Sequence, residues 1–170
     1  MLIRLPVIFL LFGLLGIFQT GFFTHFNIMG ASLNLIFILF YIIVFFENSK
    51  KYIQGIFSAF TAGFFLDIFS SFYFGTSFIC LLIIAFILKH MLELLRKKKG
   101  EYPITYFISL FVLSFIIYNL FLAISVYLLN SHMKVSLLNW IFVIEIAYNL
   151  LFAVFGFYIY KKFKLYKIEE

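Results

Sequence analysis

Six apolar stretches, separated by short polar segments, constrain this chain more than any other feature. They run from about Leu5 to Phe23, Leu33 to Phe46, Ile53 to Phe69, Phe74 to Leu88, Ile104 to Leu129 and Leu137 to Tyr160. A helix that crosses a bilayer needs roughly 20 apolar residues, with about 17–25 tolerated. The second and fourth stretches are short, so their helices either extend into flanking polar residues or sit where the bilayer thins. Of the 170 residues, 65% are hydrophobic and only 12% charged, and the mean hydropathy is +1.14. A soluble domain carries about 45–50% apolar and about 25% charged residues, and one of this size has no interior large enough to hide the excess. The expected fold class is therefore an all-α integral membrane protein, one polytopic domain over residues 1–170. Four to six spans are defensible, and six is the number adopted here.

Charge placement favours six. Arg4 precedes the first stretch, Lys50 and Lys51 follow the second, and Lys89, Arg96, Lys97, Lys98 and Lys99 are assigned to the segment after the fourth. Lys161, Lys162, Lys164 and Lys167 follow the sixth, so twelve of the 13 Lys and Arg fall on one side and only Lys134 on the other. The positive-inside rule then predicts both termini in the cytoplasm, and a five-span arrangement would break the alternation. Tyr102, Trp140 and Tyr158–Tyr160 lie near span ends, where aromatic side chains anchor at the membrane interface. The net charge of +6 is spread in this way over loops, which argues against a nucleic-acid partner. Arg4 and the following apolar run look like a signal peptide, but the run is longer than an h-region and no A-x-A-like site follows, so an uncleaved first helix is expected. No loop exceeds roughly fifteen residues, too few for a soluble catalytic domain.

The third stretch carries the most information. Gly55, Ala59, Gly63 and Asp67 are four apart, with Ser58 and Ala62 beside them. On a helix they form one stripe of small side chains ending in a carboxylate, with Phe and Ile opposite. Small-xxx-small faces let helix backbones approach closely in lipid. A central Asp costs about 2.5–3.5 kcal/mol on insertion, against a gain of only about 0.3–0.6 kcal/mol per strong apolar residue. The third helix is therefore expected to be an inner helix wrapped by neighbours. Asp67 lies about 24 Å along it from Lys51, near the outer boundary. An intramembrane carboxylate is a functional candidate by default, and the structural alternative is a cap on the next helix or on the turn ending at Gly75. The second role is the one expected.

A second polar stripe, Glu145, Asn149, Ala153 and Gly156, is expected in the sixth span, facing protein. Asn119 in the fifth span, and Gln19 and Thr20 at the outer end of the first, are further buried polar candidates. These groups either line a small-solute cavity or make interhelical hydrogen bonds of about 1 kcal/mol each, the commoner arrangement. His25 and His132 fall on the outer side without ligand spacing, so no metal site is expected. No nucleophile elbow, phosphate-cradling loop, CxxC or HExxH occurs, and neither catalytic residue nor cofactor is expected. Cys80 is the one cysteine and sits in an apolar run, where inert packing is its expected role. The dense basic run Arg96, Lys97, Lys98 and Lys99 reads as a topology signal touching anionic lipid, or as a contact for a cytoplasmic partner.

The run Gly55-x7-Gly63-Phe64-Phe65-Leu66-Asp67-Ile68-Phe69-Ser70, followed by Phe74-Gly75, resembles the central motif of the rod shape-determining protein MreD family. Leu33-Asn34-Leu35-Ile36 looks like the Pro-Asp-Leu opening of that family's second span, though the proline is missing and an amide replaces the carboxylate. Asn149-Leu150-Leu151 is similar to its late Asn-Leu stretch. Length, six spans and basic ends also match. The resemblance implies a non-enzymatic scaffold of the cell-elongation machinery in the bacterial inner membrane. Its implied partners are the single-span protein MreC, cytoplasmic MreB filaments, and the glycosyltransferase RodA with its transpeptidase. The competing expectation is the substrate-binding membrane subunit of an energy-coupling-factor vitamin importer, which resembles this chain in size, helix count and topology. In that reading Glu145, Asn119, Asp67 and His25 would form the vitamin pocket.

Overall fold

The computed structural model describes residues 4–22, 25, 30–47, 53–69, 73–96, 104–129 and 140–166. Among the described residues there are six α-helices: α1 (Arg4–Gly21), α2 (Leu35–Phe46), α3 (Ile53–Phe69), α4 (Thr76–Arg96), α5 (Ile104–Leu129) and α6 (Trp140–Tyr166). Their number and order follow the six apolar stretches. α4, α5 and α6 are long and apolar enough to cross a membrane, whereas α1, α2 and α3 are shorter apolar helices. The fourth helix runs well past Leu88 into polar residues, one of the two solutions expected for a short stretch. α2 does not lengthen. It has 12 residues, or about 18 Å of rise, against a hydrocarbon core of about 30 Å.

Local chemistry sets these boundaries. Pro6 stands in the first turn of α1, where its missing N–H leaves no helical bond unmade. Asn34 caps α2, its side chain accepting from the Phe37 amide at 3.0 Å. α2 ends where Glu47 turns to extended backbone, φ −65° and ψ 142°. Gly75, at φ +97°, reverses the chain before α4 in a conformation that suits glycine.

Neighbouring helices alternate in direction. The start of α3 (Gly55) meets Glu47 and Lys89, while its end (Asp67) meets the start of α4. Phe37 packs on Phe115 and Tyr118, and Phe45 on Phe107, so α5 runs against α2. Phe107 meets Phe157, and Phe115 meets Phe142, so α6 runs against α5. α1 runs with α3, since Phe9 touches Phe65 and Gly16 abuts Phe69. The bundle thus has one end marked by Glu47 and the other by Asp67, and α1 begins at the end where α6 finishes.

The centre of the bundle belongs to α2, which corrects the expectation that the third helix is the inner one. α2 packs on α1, α3, α4 and α6, and its rings meet those of α5 edge to face. Ile36, Phe37, Phe40, Tyr41 and Val44 are fully enclosed. α3 buries its small-residue face against α4, α2 and α1, but Ile53, Ile56, Phe60 and Ile68 face outward. A helix apolar all round fits an enclosed position as well as a lipid-facing one, and composition does not separate the two.

Candidate functional site: polar layers at both ends of the central helix

A short central helix leaves irregular backbone inside the bundle, where each unpaired amide or carbonyl costs several kcal/mol by roughly the penalty that excludes bare backbone from lipid. Residues before α2 show how that is met. Ala31 and Leu33 are buried, and the carbonyl of Ser32 accepts from Asn149 Nδ2 at 2.9 Å. Asn149 Oδ1 accepts from the Asn34 amide at 2.8 Å, and Gln19 Oε1 from the Ile36 amide at 3.3 Å. Asn149 is completely buried, and its Nδ2 also donates to the Glu145 carbonyl of its own helix. The Ser32 hydroxyl donates to Glu145 Oε1 at 3.0 Å. Side chains of α1 and α6 therefore complete the N-terminus of α2.

Asp67 belongs to the same end. Its Oδ2 accepts from the Gly75 amide at 2.7 Å and its Oδ1 from the Ser77 amide at 2.9 Å. Both oxygens are engaged on the start of α4, and the residue is buried. This is the capping role expected of it. One turn earlier, a Cβ on Gly63 would lie 2.4 Å from the Phe78 Cα and 2.8 Å from its N. α3 and α4 thus cross backbone to backbone at Gly63, and Asp67 ties the crossing off.

At the opposite end Glu47 repeats the device. Oε1 accepts from the Gln54 amide at 2.8 Å and Oε2 from the Gly55 amide at 2.9 Å, so Glu47 caps α3. The same Oε2 lies 2.6 Å from Lys89 Nζ, and both side chains are 2% exposed. Lys89 therefore does not stand with the loop cations, as charge placement had assigned it. It lies within α4, turned into the bundle by the face that also buries Leu81, Ala85 and Leu92. Gly55 makes room for the pair, because a Cβ there would meet Glu47 Oε2 at 2.7 Å and Lys89 Cε at 3.4 Å.

The other expected residues divide. Ala59 is buried in the α3 stripe, and Ala153 lies buried with Asn149 on α6. Gly156 continues that face, its missing side chain filled by Ile42 of α2. Asn119 is a correction: its amide donates to the Phe115 carbonyl of its own helix and does not join Glu145 and Asn149. Thr20 likewise bonds back to Gly16. His25 is exposed, and His132 lies outside the described residues, as do Lys97, Lys98 and Lys99. Arg96 is the last residue of α4. Cys80 is buried.

Glu47 and Lys89 were the residues the sequence reading missed as a site. A usable signal existed, since Glu47 precedes Gly55, and Asp67 precedes Gly75, by the same eight residues. In both cases the carboxylate receives that glycine's N–H. Comparison with protein-family models, with curated proteins and with solved structures returned no match.

Proposed function

We propose that the chain is a non-enzymatic scaffold of the bacterial cell-elongation complex, spanning the inner membrane six times with both termini in the cytoplasm. Eleven basic residues flanking one set of helix ends support that topology, and the twelfth, Lys89, is held in the bundle interior. The basic ends of α1, α4 and α6 gather at the Glu47 end, which is then the cytoplasmic one. The Asp67 end faces outward. There an MreC-like single-span protein would dock. The cytoplasmic end would serve an MreB-like filament, and the lipid-facing flanks a RodA-type glycosyltransferase with its transpeptidase.

The observation that carries this reading is the meeting of two of the three stretches on which the MreD resemblance rests, with Asp67 and Gly75 of the third at the same end and its Gly55 at the Glu47 end. Asn34 and Asn149 are bonded to each other at 2.8 Å, and Gly63, Asp67 and Gly75 form one crossing-and-cap unit at the same end of the bundle. The amide in place of the family's carboxylate at Asn34 still accepts an amide proton at the N-cap, a task for which Asn and Asp are about equally suited. The importer alternative is weakened by the same geometry. Asp67 is spent on the α4 cap, Glu145 on Ser32 and Asn119 on its own helix, so these groups do not converge on one pocket.

The reading is tested by solubilising the protein in mild detergent from its native bacterium and identifying what co-purifies. A single-span partner with a periplasmic domain, together with loss of rod shape on depletion, is the expected result. A vitamin retained at nanomolar affinity, or rod shape and wall insertion unchanged on depletion, would contradict it.

A further inference from the structure

An open groove of about 680 Å³ runs between α1 and α3, lined by Leu5, Phe9, Leu10 and Gly13 on one side and Phe57 and Phe65 on the other. That volume falls within the range of ligand sites, about 300–1,000 Å³. Its lining is almost wholly apolar, and Leu10 is 60% exposed along it. Gly13 forms part of the floor, beside the Phe65 ring. The two helices run in the same direction, so the groove follows the bundle axis from the Glu47 end inward. α1 begins at Arg4, one residue before the groove starts, and Arg4 is the single charged residue of that helix.

An apolar trough along the membrane normal whose lining begins one residue after the charged start of α1 has the charge and shape of a phospholipid site. We infer that the α1/α3 groove holds an acyl chain of an anionic phospholipid whose headgroup lies at the level of Arg4. The inference rests on the membrane-spanning reading of the bundle and is independent of the scaffold assignment. A basic residue near the surface attracts anionic lipid by about 1 kcal/mol, which corresponds to roughly a five-fold preference over zwitterionic lipid.

Phe9 lies on the groove wall about 7.5 Å of helix rise from Arg4, at a depth that acyl-chain bromines reach. The experiment uses the full chain with Trp140→Phe and Phe9→Trp, reconstituted in phosphatidylcholine bilayers containing brominated phosphatidylglycerol or brominated phosphatidylcholine. Brominated phosphatidylglycerol should quench the tryptophan at about a five-fold lower mole fraction, and Arg4→Gln should remove the difference. Equal quenching by the two lipids, or a preference that survives Arg4→Gln, overturns the site while leaving the bundle in the membrane. Absence of quenching by either lipid overturns the site and the membrane-spanning reading together.

Discussion

A methyl group added at Gly63 would have to displace the backbone of Phe78, whereas one added at Gly156 would meet only the Cδ1 end of Ile42, at 2.5 Å. The two glycines share a small-residue stripe pattern in the sequence but differ in what lies opposite. Gly63→Ala should therefore force α3 and α4 apart, and overpacking of this kind costs about 1–3 kcal/mol. Gly156→Ala should cost less than about 1 kcal/mol, because a terminal methyl can rotate away. Thermal unfolding in detergent checks this, with a clear fall in midpoint for the first variant and little change for the second. Asp67→Ala leaves the Gly75 and Ser77 amides without their acceptor. Each buried unpaired donor costs roughly 1–3 kcal/mol, so Asp67→Ala should lower the folded yield while Asp67→Asn, which keeps one acceptor oxygen, retains part of it. Full yield and unchanged melting for Asp67→Ala would show that the cap contributes nothing. The role of Asp67 was legible because a carboxylate followed at turn distance by Ser, Gly and Thr has amides within reach. Lys89 was not, since a lysine close to a basic cluster reads as part of it.

Helices α2, α3 and α4 are joined by the two acid caps, and among the described residues one of these, Glu47, has a basic partner. Glu47 holds the start of α3 and pairs with Lys89 of α4 in a site that is almost water-free. Breaking a buried pair by removing one partner typically costs about 3–5 kcal/mol, whereas neutralising both is far milder. Glu47→Gln and Lys89→Met should each destabilise the protein strongly, and the double variant should be more stable than the worse single one. A double-mutant cycle on unfolding in detergent measures the coupling, and strictly additive effects would mean that the pair is not coupled in the bundle. At this scale the apolar runs gave helix number and order, and the small-residue face of α3 was foreseeable from its period of four. The central place of α2 was not. Its twelve residues carry no polar stripe to mark a buried side, because even the face of Leu35, Leu39 and Ile43, which is only partly buried, is apolar.

Taken as a whole, the molecule places the shortest of its described helices at the centre and meets both ends of it with side chains from other helices. Asn149 and Gln19 serve the Asp67 end, and at the other Lys89 of α4 donates to the carbonyl of Glu47 and pairs with its carboxylate. In the proposed six-span bundle this arrangement would let a helix of about 18 Å take part, since the irregular backbone of residues 31–34 before it meets protein groups in place of lipid. The alternation of helix direction was readable from the basic segments, but depth was not, because the rule of roughly 20 apolar residues applies to helices that face lipid. Whether α2 crosses the membrane is therefore the point on which the account turns. Single cysteines at His25→Cys and Lys51→Cys, introduced with Cys80→Ala, flank α2 on either side. In intact cells a membrane-impermeant maleimide should label the first, and the second only after lysis. Labelling of both positions in intact cells, or of neither before lysis, would place the two flanks of α2 on one side of the membrane and contradict the six-span bundle.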